Sequence, residues 1–93
     1  MKNPREIMYI EPRRSFNVYD DDGNPYDMRD ESCEINEAEC FVVYANEWDN
    51  DREVWNKVEQ ETFGKFAEAV VYVKFTRKCN RVFMLGENIR IVV

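Results

Sequence analysis

Residues 50–64 read NDREVWNKVEQETFG, and their assignment decides the architecture. Asn50 is followed three residues later by Glu53. That is the spacing of a capping box, in which each side chain accepts a hydrogen bond from an orphan backbone amide. Val54, Trp55, Val58 and Thr62 then recur at helical spacing and make one apolar stripe. Glu53 and Lys57 form a favourable i,i+4 pair, and Gly64 fits the residue that ends a helix. The segment reads as a helix over 51–63.

Strand signals surround it. EIMYI (6–10) and SFNVY (15–19) are short runs of β-branched and aromatic residues split by Pro12, so they read as two strands, the first at a sheet edge. CFVVYA (40–45) is a continuous apolar run of strand length, as expected of a central strand buried on both faces. AVVYVKFTR (69–77) alternates, with Val71, Val73 and Phe75 on one side and Tyr72, Lys74 and Thr76 on the other. With turns at KCN (78–80) and GEN (86–88), this run, RVFML (81–85) and IRIVV (89–93) read as a three-stranded antiparallel meander. Its outer face would carry Lys74, Arg77, Arg81 and Arg90. Residues 26–39 stay open, with 30–39 either a short helix or an irregular acidic loop. The expected class is α+β: an antiparallel or mixed sheet of five to six strands with one principal helix at about 51–63.

The 93 residues suit a single domain, 1–93, and the 44% apolar content is too high for a disordered chain. No run of 18 apolar residues is present, and MKNPREIMYIEPRR lacks the apolar core of a signal peptide, so neither a membrane span nor a leader is expected. Cys33, Cys40 and Cys79 are an odd set without a CxxC pair, and there is no histidine to complete a zinc site. Three free thiols in a reducing cytoplasm are expected, with one structural disulfide as the alternative.

Charge is segmented along the chain. Between Asp20 and Glu61 stand 15 acids and 3 bases, whereas the remainder holds 4 acids and 10 bases. Such asymmetry speaks to partners. The stretch DDDGNPYDMRDE (20–31) places Asp20, Asp22, Asn24 and Glu31 at calcium-loop positions 1, 3, 5 and 12. Position 6 of such a loop needs glycine and here is Pro25, so a hairpin turn is expected and no metal. Absent histidine removes the usual general base. Ser15 and Ser32 lie outside any GxSxG elbow, and no phosphate-binding glycine loop occurs, so no catalytic residue and no cofactor are assigned.

Several acids are spaced i,i+2, including Glu37/Glu39 and Glu47/Asp49/Asp51/Glu53. In an extended chain such side chains point the same way about 6.8 Å apart. Neighbouring carboxylates can then approximate a row of phosphates, which follow one DNA strand every ~3.4 Å. Trp48 lies among them, as an interface hot spot would. The partner-binding candidates are Asp20, Asp22, Glu31, Glu34, Glu37, Glu39, Glu47, Trp48, Asp49, Asp51 and Glu53. The alternative is an ordinary solvated acidic surface.

In size, acidity and lack of catalytic motifs, residues 20–22, 30–39 and 47–53 resemble the small acidic proteins that phages encode to block host nucleases, including DNA-mimic anti-restriction and anti-CRISPR proteins. The resemblance is compositional and covers about 40 residues; the basic ends depart from a uniformly acidic mimic. It implies a non-enzymatic inhibitor acting in the host bacterial cytoplasm. The partner would be a basic nucleic-acid-handling protein, such as a nuclease or a restriction or CRISPR effector. No direct nucleic-acid contact and no membrane are expected. The other reading is a structural or assembly protein, such as a homodimer, self-associating through its acidic and basic faces.

Overall fold

A computed structural model describes residues 7–85 and 89–91. Six strands form one mixed sheet: β1 Met8–Tyr19, β2 Pro25–Ser32, β3 Cys40–Asp49, β4 Val54–Phe63, β5 Val82–Met84 and β6 Arg90–Ile91. The order across the sheet is β4-β3-β1-β5-β6, with β2 also paired to β1. A helix, α1 Phe66–Val71, continues as a π-helical turn Tyr72–Thr76 and connects β4 to β5. The α+β class and mixed six-stranded sheet match expectation, but the helix lies elsewhere in the chain.

Residues 54–63 are strand β4, not a helix. Asp49, not the expected Asn50–Glu53 capping box, holds the turn amides here, and its bonds close a hairpin instead of starting a helix. Asp49 Oδ1 accepts hydrogen bonds from the amides of Asp51 and Arg52 at 2.9 and 3.3 Å, and Glu53 N–H reaches the Asp49 carbonyl at 2.8 Å. Glu53 then turns left-handed, at φ 56°, which stops helical propagation after one turn. Phe41 to Asp49 pair antiparallel with Phe63 to Val54 across this turn, and a bulge at Val43/Tyr44 leaves Gln60 as the extra residue. Tertiary pairing thus overrides a local helical pattern.

The reverse holds at 66–76. Phe66, Ala69, Val70 and Val73 follow helical spacing and place Ala69 and Val73 in the core, whereas Val71 and Phe75 are exposed. The expected strand 69–77 is therefore absent, and of the expected meander only its last antiparallel pair, β5 with β6, is formed. β5 instead runs parallel to β1, Met8 to Ile10 against Val82 to Met84, and pairs antiparallel with β6. Lys74 and Arg77 accordingly lie on or beside the helical segment, apart from Arg81 and Arg90. The expected GEN turn, Val92, Val93 and Glu6 lie outside the described residues.

β1 is one continuous strand through Pro12 rather than two. The even-numbered residues of β1 turn their backbone groups toward β5 and β2. Leu85 N–H donates to the Ile10 carbonyl and Cys33 N–H to the Pro12 carbonyl, each at 3.0 Å. The N–H that proline lacks would point away from β3, to the side where β5 ends and β2 begins, so the β1–β3 ladder loses no bond. The core lies on the helix side of the sheet: Met8, Ile10, Phe41, Val43, Ala45 and Val82 against Ala69, Val73 and Cys79. β3 is central, as expected, with Val42 also buried on the opposite face.

Candidate functional site: an acidic, aromatic hairpin

β1 rises from the core to the β1–β2 turn, and β3 descends from it to the β3–β4 turn. The two turns therefore lie at opposite ends of the sheet, about 50 Å apart along the strands, in a molecule 56 Å long. This geometry divides the candidate acids into three groups.

Asp20 and Asp22 belong to the β1–β2 turn. Asp20 Oδ1 accepts the amides of Asp22 and Asn24 at 3.0 and 2.9 Å, and Gly23 takes φ 83°. This is the expected hairpin turn. Glu31 lies six residues along β2 from Pro25, about 20 Å away, and cannot close a calcium loop.

Glu31, Glu34, Glu37 and Glu39 flank the link from β2 to β3, which carries a 3-10 turn at Ile35–Glu37. Arg14 holds two of them, Glu31 at 2.9 Å and Glu37 at 2.5 Å. Glu39 Oε1 accepts both the amide and the hydroxyl of Ser15 at 2.7 Å, and these bonds, the amide's first, hold its carboxyl below its ordinary range. Three of the four carboxylates thus tie the link to β1. Glu34 is exposed beside a cleft of about 690 Å³ between that link and the end of β5.

Glu47, Trp48, Asp49, Asp51 and Glu53 form the third group, on the β3–β4 hairpin. Glu47 and Asp49 share one face of β3; Asp51 and Glu53 sit in the turn. Only Glu47 and Asp49 keep the extended i,i+2 geometry, so no long phosphate-like row exists. Among the described residues, none of these acids joins an ion pair; Glu47 receives only a 3.5 Å hydrogen bond from Gln60 Nε2. Opposite Trp48 stands Trp55, a residue that the sequence reading placed in a helix. The indoles meet edge to face with centroids 5.4 Å apart, and the residues are 46% and 52% exposed. The signal for Trp55 was available: WDNDREVW puts two tryptophans in register across a four-residue acidic turn.

The remaining shifted groups serve the sheet itself. On the face away from the helix, Glu11 is buried and accepts hydrogen bonds from Ser32 Oγ, from Arg13 Nη1 at 2.7 Å and from Tyr44 Oη at 2.9 Å. Burial raises its pKa, but the three donors outweigh burial and leave it below the ordinary value. Burial, then the Glu11 carboxylate, pushes Tyr44 up to about 12. No disulfide joins the three cysteines, and burial raises the Cys33 and Cys40 thiols, which disfavours the nucleophilic thiolate.

No family model matches the sequence, and no curated protein or solved structure matches it. No helix among the described residues is long and apolar enough to cross a membrane.

Proposed function

We propose that the protein is a non-enzymatic inhibitor that docks the tip of the β3–β4 hairpin into a basic, nucleic-acid-binding site on a partner enzyme. One observation carries this reading. Trp48 and Trp55 stand half-exposed together on one face of a hairpin that carries Glu47 and Asp49 on its other face and Asp51 and Glu53 in its turn, carboxylates that no described residue pairs ionically. Aromatic anchors supply contact energy at an interface, whereas surrounding charge steers association and selects a partner of opposite sign. Arginine suits such a site, because a guanidinium stacks on indole while its charge meets carboxylate. Nucleases and restriction or CRISPR effectors offer surfaces of this kind, and the compositional likeness to phage-encoded inhibitors agrees.

The acids at Asp20–Asp22 lie at the other end of the sheet, so a compact partner site engages one pole, not a continuous acidic face. The test is a pull-down from nuclease-treated bacterial lysate, eluted with a salt ladder. The expected result is a basic nucleic-acid-handling protein, released by salt and displaced by DNA. Its capture should be lost with Glu47→Lys/Asp51→Lys/Glu53→Lys, which keeps the Asp49 carboxylate that accepts the turn amides. Equal capture by that variant overturns the assignment.

A further inference from the structure

We propose that two copies of the chain join through the outer edge of β4, antiparallel about a two-fold axis at Val58, with Lys57 of each copy opposite Glu59 of the other. The inference is independent of the inhibitor reading. It begins from the sheet order, in which β4 is terminal and ten residues long, with no proline in it and no strand on its far side among the described residues. An edge of this kind is a template for another strand unless its side chains forbid pairing.

The ladder fixes which groups are available. Even-numbered β3 residues face β1, as the 3.1 Å bond from Asn46 N–H to the Ile7 carbonyl requires, so odd-numbered ones face β4. Ala45, Glu47 and Asp49 stand opposite Val58, Asn56 and Val54, which therefore turn their backbone groups inward. Trp55, Lys57 and Glu59 turn theirs outward, and the bulge at Gln60 breaks the phase beyond them.

Three two-fold registers pair two or more of these outward groups with one another. An axis at Lys57 sets Lys57 against its own copy. An axis at Asn56 sets Glu53 against Glu59. An axis at Val58 sets Lys57 against Glu59 twice and opposes no like charges within 55–59. Both side chains lie on the face away from the helix, opposite Asn46 and Tyr44, so they meet as direct cross-strand neighbours. Within one chain neither forms an ion pair among the described residues; the Lys57 ammonium lies 4.9 Å over the Tyr9 ring. Edges blunted against pairing repel a copy of themselves, whereas this one is self-complementary. The axis leaves both 50–53 turns free, at opposite ends of the joined strands.

So short a ladder belongs to the weak interface class, below ~1,200 Å² buried. Sedimentation velocity on the full chain over rising concentration is the test, with hydrogen exchange followed at the same concentrations. The wild-type mass should climb toward two chains while the Lys57 and Glu59 amides slow. Glu59→Lys should weaken association about ten-fold, or 1.4 kcal/mol, and Lys57→Glu/Glu59→Lys should restore it. Both positions are exposed, and circular dichroism checks that each variant folds. A wild type that stays monomeric, a double variant as weak as the single, or a dimer whose two amides stay fast each overturns the proposal.

Discussion

Trp48 and Trp55 face each other across the β3–β4 hairpin, their rings 5.4 Å apart at 62°. The pair is half-exposed, so it stabilises less than a buried one, yet it is the hairpin's main side-chain contact near the turn. A double-mutant cycle with Trp48→Ala and Trp55→Ala, read by urea unfolding, should give a coupling of about 0.5–1 kcal/mol. Coupling indistinguishable from zero would mean the rings do not touch in solution.

The Glu11 cluster predicts two pH limits. The folded Glu11 pKa lies below its ordinary 4.5, so its contribution is present above that pH and is lost as pH falls through the lowered folded value. The folded Tyr44 pKa is raised from 10 to about 12, so its contribution is complete below pH 10 and disappears as pH rises toward 12. Glu11→Gln removes a charged acceptor and should cost about 2 kcal/mol at pH 7, with a shallower acid loss. Urea midpoints from pH 3 to 11 check both limbs.

The left-handed Glu53 offers a stabilising change. At φ 56° a glycine carries no Cβ penalty, so Glu53→Gly should raise stability by about 0.5–1 kcal/mol. Asp49→Ala should do the opposite, by about 1 kcal/mol, because two turn amides lose their acceptor. Thermal unfolding of the two variants should move in opposite directions.

Helix and strand readings of 69–77 separate cleanly at Val71 and Val73. A strand would put both on one face; the structure buries Val73 fully and leaves Val71 53% exposed. Val73→Asp should unfold the chain or cost at least ~3 kcal/mol. Val71→Asp should stay within about 0.5 kcal/mol of wild type. Equal damage from both, seen by circular dichroism and urea unfolding, would restore the strand.

What was legible depended on how local the deciding physics is. The turn at Asp20–Asn24 and the buried strand CFVVYA carry their own instructions: an Asx-type acceptor with a left-handed glycine, and an apolar run. Residues 49–63 did not. An acid that caps two amides starts a helix and closes a four-residue hairpin equally well, and only the apolar partner β3 decides between them. At 66–76 the alternation of the strand-favouring Val71, Val73 and Phe75 hides the helical spacing that begins earlier, at Phe66 and Ala69. The acids are plain in the sequence, but their division into three groups follows from opposed strand directions and from the Arg14 and Ser15 contacts, which composition does not encode. Trp55 was missed for the same reason as β4.

Pro12 gives β1 two unequal halves. Below it, Met8 and Ile10 are held on both edges and packed in the core. Above it, Ser15 to Tyr19 pair with β2 alone and carry exposed Phe16 and Tyr19. A two-stranded ribbon is marginal in water. The amides of 16–19 and 26–31 should therefore exchange through local opening, while those of Met8 and Ile10 wait for global unfolding. One strand thus spans two cooperative units, and the upper ribbon can loosen without disturbing the fold that presents the acidic hairpin at the other end.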